Sequence, residues 1–333
     1  MGGDFAPRNV VAGAAEALRE SNGRFSVTLV GQEERVKEEV KQWPDLVSIK
    51  SQDGEPACSV VDAREVIDMN DSPNAALKTK KNSSIAVGIN LHRDGKADAF
   101  VSAGNTGAVL SASTLILGRI PGVGRPTIGA LIPTETTPCL LVDAGTNVDC
   151  RAQHLFEFGV MGSIYVSAMF NKSKPTVGLL SIGEEDIKGN EASLEAFALM
   201  KRSSLNFVGN VEGRDILKGK VDVVVCDGFV GNILLKFGES VPSFFKARFK
   251  KFAAASLLNR AMVMFARKGM RTVMKELDYQ EHGGVPLLGV NGVSIIGHGG
   301  STPKAIKNMI YRAEEMVLRK VNVRIKEAMV TLA

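Results

Sequence analysis

Val221 to Lys236, VDVVVCDGFVGNILLK, constrains the fold more than any other stretch of the chain. Val221 to Val225 are apolar apart from Asp222 and mostly β-branched, the pattern of a strand buried on both faces of a parallel sheet. Asp227 and Gly228 interrupt the run, and Gly231, Asn232, Ile233, Leu234 and Leu235 then open a helix. A strand that passes straight into a helix leaves unpaired N–H groups at its carboxyl end, where the helix dipole is positive. Asp227 and Asn232 add a carboxylate and an amide. The segment suits an anion or a polarised carbonyl.

The same grammar occurs upstream in Ala97 to Leu110, where Asp98, Gly104, Gly107 and Leu110 match Asp222, Gly228, Gly231 and Leu234 at one constant offset. Three further strand ends carry small polar residues: LLVDAGTN (Leu140 to Asn147), VGLLSIGEEDIKGNE (Val177 to Glu191) and VSIIGHGGS (Val293 to Ser301). Any one of these is explained by an ordinary βα turn, which needs Gly for positive φ. Together they predict an α/β protein with a mostly parallel, doubly wound sheet, whose ligand cleft lies outside the carboxyl ends of the strands. The turns at Gly104, Gly183 and Gly228 are expected to end adjacent parallel strands around one pocket. A chain of 333 residues suffices for one large α/β unit or two domains. No low-complexity linker divides it, so residues 1–333 are read as one unit.

Elsewhere, strands are expected at Phe25–Val30, Val47–Lys50, Thr176–Ser181, Phe207–Val211 and Leu287–Ile296. Helices are expected at Glu33–Lys41, Ser72–Leu91, Arg151–Phe170, Glu191–Lys201 and Thr302–Lys326. Thr127–Ile132 and Pro138–Val142 read as an antiparallel hairpin. Gly2, Gly3 and Asp4 resemble a βα turn and Pro7 suits a first helical turn. The strand such a turn should follow is not found, so either a sheet edge lacks it or the sequence starts inside a longer chain.

Glu239 to Glu281 breaks the βα rhythm. Phe244 to Lys275 holds nine Lys or Arg and no acidic residue. Phe245, Phe249 and Phe252 share a helical stripe that Leu258, Met262 and Phe265 continue. Two amphipathic basic helices turning near Gly269 are expected to project as a hairpin. The plainer reading is two packed helices whose apolar faces join the core or a dimer interface.

No apolar run reaches the roughly 18–20 residues of a spanning helix, and no signal peptide opens the chain. Cys58, Cys139, Cys150 and Cys226 show no metal or CxxC spacing and read as reduced thiols of a cytoplasmic protein. Neither GxGxxG after the first strand nor GxxxxGK[ST] is present, so no nucleotide cofactor is expected. No motif argues for a metal, and a net charge of +5 does not call for a nucleic acid partner.

MGGDFAP, SAGNTGA (Ser102 to Ala108), LVDAGTN, GEEDIKGNE (Gly183 to Glu191), VCDGFVGN (Val225 to Asn232) and GGVPLLGVNG (Gly283 to Gly292) together resemble bacterial phosphate acyltransferases. The resemblance spans nearly the whole chain. It implies transfer of an acyl group from acyl carrier protein to inorganic phosphate, feeding phospholipid synthesis. It implies also a fold like isocitrate and isopropylmalate dehydrogenases and phosphotransacetylases, a homodimer, and peripheral association with an anionic membrane surface. Members of that family carry a short strand ahead of MGGD.

Phosphate attacking a thioester needs a seat for the dianion, a donor to the developing oxyanion, and proximity. Ser102, Gly104, Asn105, Thr106 and Gly107 can seat phosphate or the pantetheine arm. Asp143, Asn147, Gly183, Glu184, Gly189, Asn190, Asp227 and Gly228 complete the candidate substrate-binding set. Lys188 is the cation on a glycine turn, unless it pairs with Glu184 or Glu185. Asn232 is a candidate oxyanion donor, or a helix cap. His298 can protonate the leaving thiolate, or be structural. Cys226, at a buried strand end beside Asp227, reads as core rather than as an acyl-accepting nucleophile. Phe245, Phe249, Met262 and Phe265 are the candidate membrane or partner contacts. Two other functions fit the same residues: a phosphate-handling, nicotinamide-dependent dehydrogenase, and a non-catalytic membrane or carrier-protein scaffold.

Overall fold

Strands that are apolar on both faces need covering from both sides. The computed structural model, which describes residues 1–276 and 283–332, provides this with helices on either side of a sheet. The chain runs through α1 (Arg8–Ser21), β1 (Val27–Gly31), α2 (Glu33–Val40), β2 (Cys58–Asp62), α3 (Pro73–Thr79), α4 (Ser84–Arg93), β3 (Ala99–Ser102) and α5 (Thr106–Ala112). It continues with β4 (Thr127–Ile132), β5 (Cys139–Val142), α6 (Ala152–Phe170), β6 (Thr176–Leu180), α7 (Glu191–Arg202), β7 (Asn206–Val211), α8 (Gly213–Ile216) and β8 (Val223–Val225). It ends with α9 (Gly228–Ala254), α10 (Leu257–Glu276), β9 (Val285–Leu288), β10 (Val293–Ile296), α11 (Pro303–Leu318) and α12 (Val321–Leu332).

Eight strands form one sheet in the order β3-β10-β9-β4-β5-β8-β6-β7, and β1 pairs with β2 in a separate parallel pair. Within the large sheet β3/β10, β5/β8, β8/β6 and β6/β7 are parallel; β10/β9, β9/β4 and β4/β5 are antiparallel. The fold is α/β with a mostly parallel sheet. Alternation along each strand sends its side chains to opposite faces. Val223 and Val225 of β8, with Leu140 and Val142 of β5, meet Phe158, Met161 and Tyr165 of α6. Val224 and Cys226, with Leu141, face a second cluster that takes Leu234 of α9. Ile128, Leu287 and Ile296 meet α4, α5 and Leu235 of α9.

The pairings carry a consequence for direction. The two antiparallel hairpins, β4/β5 and β9/β10, reverse the chain between two parallel blocks, so β3 and β10 run opposite to β5, β8 and β6. Gly228 and Gly183 do follow neighbouring strands, β8 and β6. Gly104 follows β3 at the far edge, with four strands between, and the expectation of three adjacent parallel strands is wrong for it. Glycine turns fix local geometry; strand order was set elsewhere. β1 and β3 each pair on one side only, and an apolar cavity of about 400 Å³ lies between them, lined by Val27, Leu29, Phe100 and Val101 among others.

Other boundaries also moved. The expected helix Ser72–Leu91 is two helices, α3 and α4. Lys80 leaves helical geometry (φ −101°, ψ 64°) as its ammonium reaches Asp71 and the Val66 carbonyl, and Ser83 caps the second helix. Val47–Lys50 is not a strand: Pro44–Val47 is a 3₁₀ turn, and the partner of β1 is β2, further on. Leu287–Ile296 is an antiparallel hairpin rather than one strand. Thr302–Lys326 breaks at Lys320, where φ is +54°.

The basic segment is helical, but its first helix starts at Gly228, not near Glu239, and runs through Pro242. The turn lies at Ala255–Ser256, where Ser256 accepts from the Asn259 N–H (3.1 Å) and the Asn259 amide donates to the Phe252 carbonyl (3.1 Å). Gly269 sits inside α10, which corrects its reading as the turn. The end of the expected hairpin, from residue 277 to Glu281, lies outside the described residues. Phe245, Phe249, Met262 and Phe265 are 45, 37, 49 and 94 % exposed, so this surface does not join the core. Among the described residues no helix is long and apolar enough to cross a membrane.

Candidate active site

The parallel block β5, β8, β6 brings three loops together. Val142 pairs with Val225 and Leu179 with Val225, so residues 143–147, 226–232 and 181–190 leave adjacent strands on one side. The first loop is held from beneath. Asp143, fully buried, accepts hydrogen bonds from the N–H groups of Gly145 (3.1 Å), Thr146 (3.0 Å) and Asn147 (2.7 Å) and from the Asn147 amide (2.8 Å). Burial pushes its carboxyl above the ordinary aspartate value, and these donors partly offset the effect. The Asn147 amide donates also to the Pro126 carbonyl. Neither Asp143 nor Asn147 presents a free side-chain group to a ligand. Thr146 Oγ1 is buried with no hydrogen-bond partner in the structure.

The second loop locks onto the first. The Gly228 N–H donates to the Asn147 carbonyl (2.7 Å), and Gly231 lies so close to the Asp143 carbonyl that a Cβ there would overlap it. Asp227 caps α9 by accepting from the Val230 N–H (2.8 Å). With the cap supplied by Asp227, Asn232 is not needed for it. Its side chain is exposed, packs over Gly145 (φ +135°), and makes no hydrogen bond among the described residues.

In the third loop Glu184 pairs with Lys220 (3.0 Å) and Asp186 with Lys201 (2.8 Å). Asn190 caps α7 through the Ser193 N–H (2.9 Å). Gly189 has φ +129°, and the Ser181 hydroxyl donates to the Lys188 carbonyl (3.0 Å). The Lys188 side chain is exposed, passes over Gly183, and has no ion-pair partner among the described residues. Both acids that sequence offered it are otherwise placed or unpaired.

Cys226 lies beneath these loops with its thiol 3.6 Å from the Asp143 carbonyl. Burial, reinforced by Asp143 and Asp227, pushes the thiol well above its usual value. Both effects favour the thiol over the thiolate there.

A second group of turns lies at the carboxyl ends of β3 and β10. The Gly297 N–H donates to the Ser102 carbonyl (2.8 Å), and Ser102 Oγ accepts from the Gly104 N–H (3.1 Å). Asn105 caps α5 through the Ala108 N–H (3.0 Å) and donates to the carbonyls of Asp68, Met69 and Asp71 at 3.1–3.2 Å. Its amide is used to hold that loop. Gly107 abuts Pro73 of α3, and Thr106 is exposed.

Helix α9 connects the two groups. His298 Nε2 lies 2.9 Å from Glu239 Oε1, and Lys236 donates to the same carboxylate (3.0 Å). Burial would raise the Glu239 carboxyl, but hydrogen bonds from His298 and Lys236 outweigh it and leave it below its ordinary value. Asn232 and Glu239 are seven residues apart, hence on one flank and about 10 Å apart along the axis. Sequence reading took Glu239 as the start of the hairpin and missed this contact; its seven-residue offset from Asn232 was the available signal.

A family model described as fatty acid synthesis protein matches residues 1–324. The chain is 46 % identical to a phosphate acyltransferase of Chlorobaculum parvum over 98 % of this chain and 96 % of that protein. It is 47 % identical to a phosphate acyltransferase of Pelotomaculum thermopropionicum over 95 % of this chain and 90 % of that one. A phosphotransacetylase from Streptococcus pyogenes superposes with a TM-score of 0.60 at 18 % identity, covering 94 % of this chain and 92 % of that one, which shows a shared fold. With nearly half of its residues in common along nearly all of its length, the chain belongs to the phosphate acyltransferase family.

Proposed function

We propose that this protein moves a fatty acyl group from acyl carrier protein to inorganic phosphate, giving an acyl phosphate for phospholipid synthesis. Supporting it is one observation above all: an amide unbonded among the described residues, Asn232 in the first turns of α9, and an ammonium without an ion-pair partner among them, Lys188 on the loop after β6, follow neighbouring strands. In this reading a phosphate oxygen forms a bond to the thioester carbon. Lys188 balances phosphate charge, and the Asn232 amide donates to the carbonyl oxygen as it becomes an oxyanion. The C–S bond then breaks and the thiolate takes a proton from His298, through water across the two helical turns that separate it from Asn232. Ser102, Thr106 and the Gly104–Gly107 turn take the pantetheine arm. Asp143, Asn147, Asn105, Asp227 and Asn190 serve by holding turns.

The same reading extends to architecture and surroundings. The chain forms one catalytic unit of the isocitrate and isopropylmalate dehydrogenase type, doubly wound, with α9 and α10 as a projecting hairpin. The protein acts as a cytoplasmic homodimer whose hairpin touches an anionic membrane through Phe245, Phe249, Met262 and Phe265. Their exposure beside nine basic residues supports that role.

The test is acyl phosphate formation from hexadecanoyl-acyl carrier protein and phosphate, in wild type and Lys188→Ala. Wild type should turn over only with phosphate present. The variant should raise the apparent KM for phosphate or lower kcat at least tenfold with an unchanged circular dichroism spectrum. Unchanged kinetics would return Lys188 to an ordinary surface residue.

A further inference from the structure

Phe229, Ile233 and Phe237 recur every four residues on α9 and are 60, 54 and 70 % exposed. The opposite side of the helix is the packed one: Gly228 and Gly231 are buried, and Leu234 and Leu235 enter two apolar clusters. Scattered exposed apolar residues need no explanation, but a contiguous set does. Two more lie on the loop that leaves the neighbouring strand. Ile182 and Ile187 are 84 and 81 % exposed on the charged loop that carries Lys188. Leu179 pairs with Val225, so Ile182 and Phe229 come three and four residues beyond paired positions on neighbouring strands. The apolar residues are also interleaved with the polar ones of the site: Ile187 precedes Lys188, and Phe229 and Ile233 flank Asn232.

We propose that Phe229, Ile233 and Phe237, with Ile182 and Ile187, hold the hydrocarbon chain of the acyl donor and set its preferred length. This rests on the acyl-transfer reading above. A thioester carbonyl at Asn232 has its chain leaving from the same atom, so apolar surface on the next turns of α9 lies where that chain must go. Phe229 to Phe245 spans about 24 Å of helix, and the stripe leads on to Phe244 and Phe245, whose rings touch at 5.8 Å between centroids. The chain therefore stays against apolar surface from the site to the foot of the basic hairpin. Lys188, Asn232 and the Lys236–Glu239 pair border this surface, while Phe229, Ile233 and Phe237 themselves offer no polar side-chain group to a headgroup or peptide. A hydrocarbon is the ligand whose chemistry matches.

The experiment compares wild type with an Ile233→Ser, Phe237→Ser double variant, using hexadecanoyl- and butanoyl-acyl carrier protein. The ratio of kcat/KM for the long over the short donor should fall at least tenfold in the variant. An unchanged ratio overturns the proposal. Elution as a smaller species on size exclusion with the ratio unchanged identifies the stripe as a subunit contact and overturns it too. Calorimetric titration with hexadecanoate, which needs no turnover, judges the stripe separately. Loss of binding in the variant supports it, and equal binding refutes it. If wild type forms no acyl phosphate from either donor, the acyl-transfer reading fails, and the titration still decides the stripe.

Discussion

Asp143→Ala should destabilise the protein by about 3 kcal/mol, and the figure can be built from the four N–H groups that lose their acceptor, the Ile128 N–H contributing least through its long 3.4 Å bond. Asn147 is buried, so its N–H, now 2.7 Å from the carboxylate, would be left without water and costs about 1–3 kcal/mol. Thr146 is half-buried and bonded at 3.0 Å; it pays roughly half as much. Gly145 is exposed and water replaces its bond at little cost. The Asn147 amide keeps the Pro126 carbonyl at 2.8 Å. Relief from burying a carboxylate offsets part of the sum. Unfolding entropy of about 2.1 cal/mol/K per residue over 333 residues gives about 0.7 kcal/mol/K, so Tm should drop by roughly 4 °C.

Scanning calorimetry and urea titration monitored by circular dichroism measure this directly. Asp143→Asn should not rescue the loss. Each carboxylate oxygen receives at least two donors, and an amide turns one acceptor into a further donor facing them. A Tm within 1 °C of wild type for Asp143→Ala would refute the argument that this carboxylate holds the loop. So would full rescue by asparagine.

Two other outcomes follow from the same geometry. Asp222 is paired with Lys172 (2.5 Å) and accepts from the Thr176 N–H (2.9 Å) and hydroxyl (3.0 Å). Burial raises its carboxyl, but these partners outweigh it and hold it below the ordinary 3.8. Its stabilisation is therefore complete above that value and lost as pH falls through the lower, folded one. Asp222→Asn should cost about 1–3 kcal/mol at pH 7, with the gap to wild type closing below about pH 4; a pH-independent gap in urea titrations would contradict this. On the hairpin, Phe249→Glu with Phe265→Glu should abolish the salt-resistant part of co-sedimentation with anionic vesicles, and sedimentation equal to wild type would remove the membrane from the proposed role.

The strand–turn–helix at Val221–Lys236 was legible because every signal in it is local: β-branched residues, a glycine break, helical spacing. The same holds for β4/β5, where two apolar runs flank TETT. Misreadings arose where distant partners decide. Lys80 breaks a helix because Asp71 and the Val66 carbonyl attract its ammonium. Asn105 looks like a ligand group until the carbonyls of Asp68, Met69 and Asp71 claim it. Gly104 and Gly228 share one turn grammar yet stand on blocks running in opposite directions, because grammar carries no strand order.

Polar residues on glycine turns thus divide into two kinds. Those on the strand side of the turn, Asp143, Asn147, Asn105 and Asp227, sit where backbone N–H or C=O groups lack partners, and each is bound to supply them. Those one helical turn or one loop further out, Asn232 and Lys188, face no such demand and keep their polar atoms free among the described residues. The distinction is physical: an orphaned buried N–H costs more than an exposed amide gains by idling. A carboxylate or amide within five residues of a strand's end is therefore drawn into the turn first. In a βα turn of this kind a ligand must be met by the next layer of side chains. On α9 that layer is the exposed flank bearing Asn232, seven residues before Glu239 and its contact with His298.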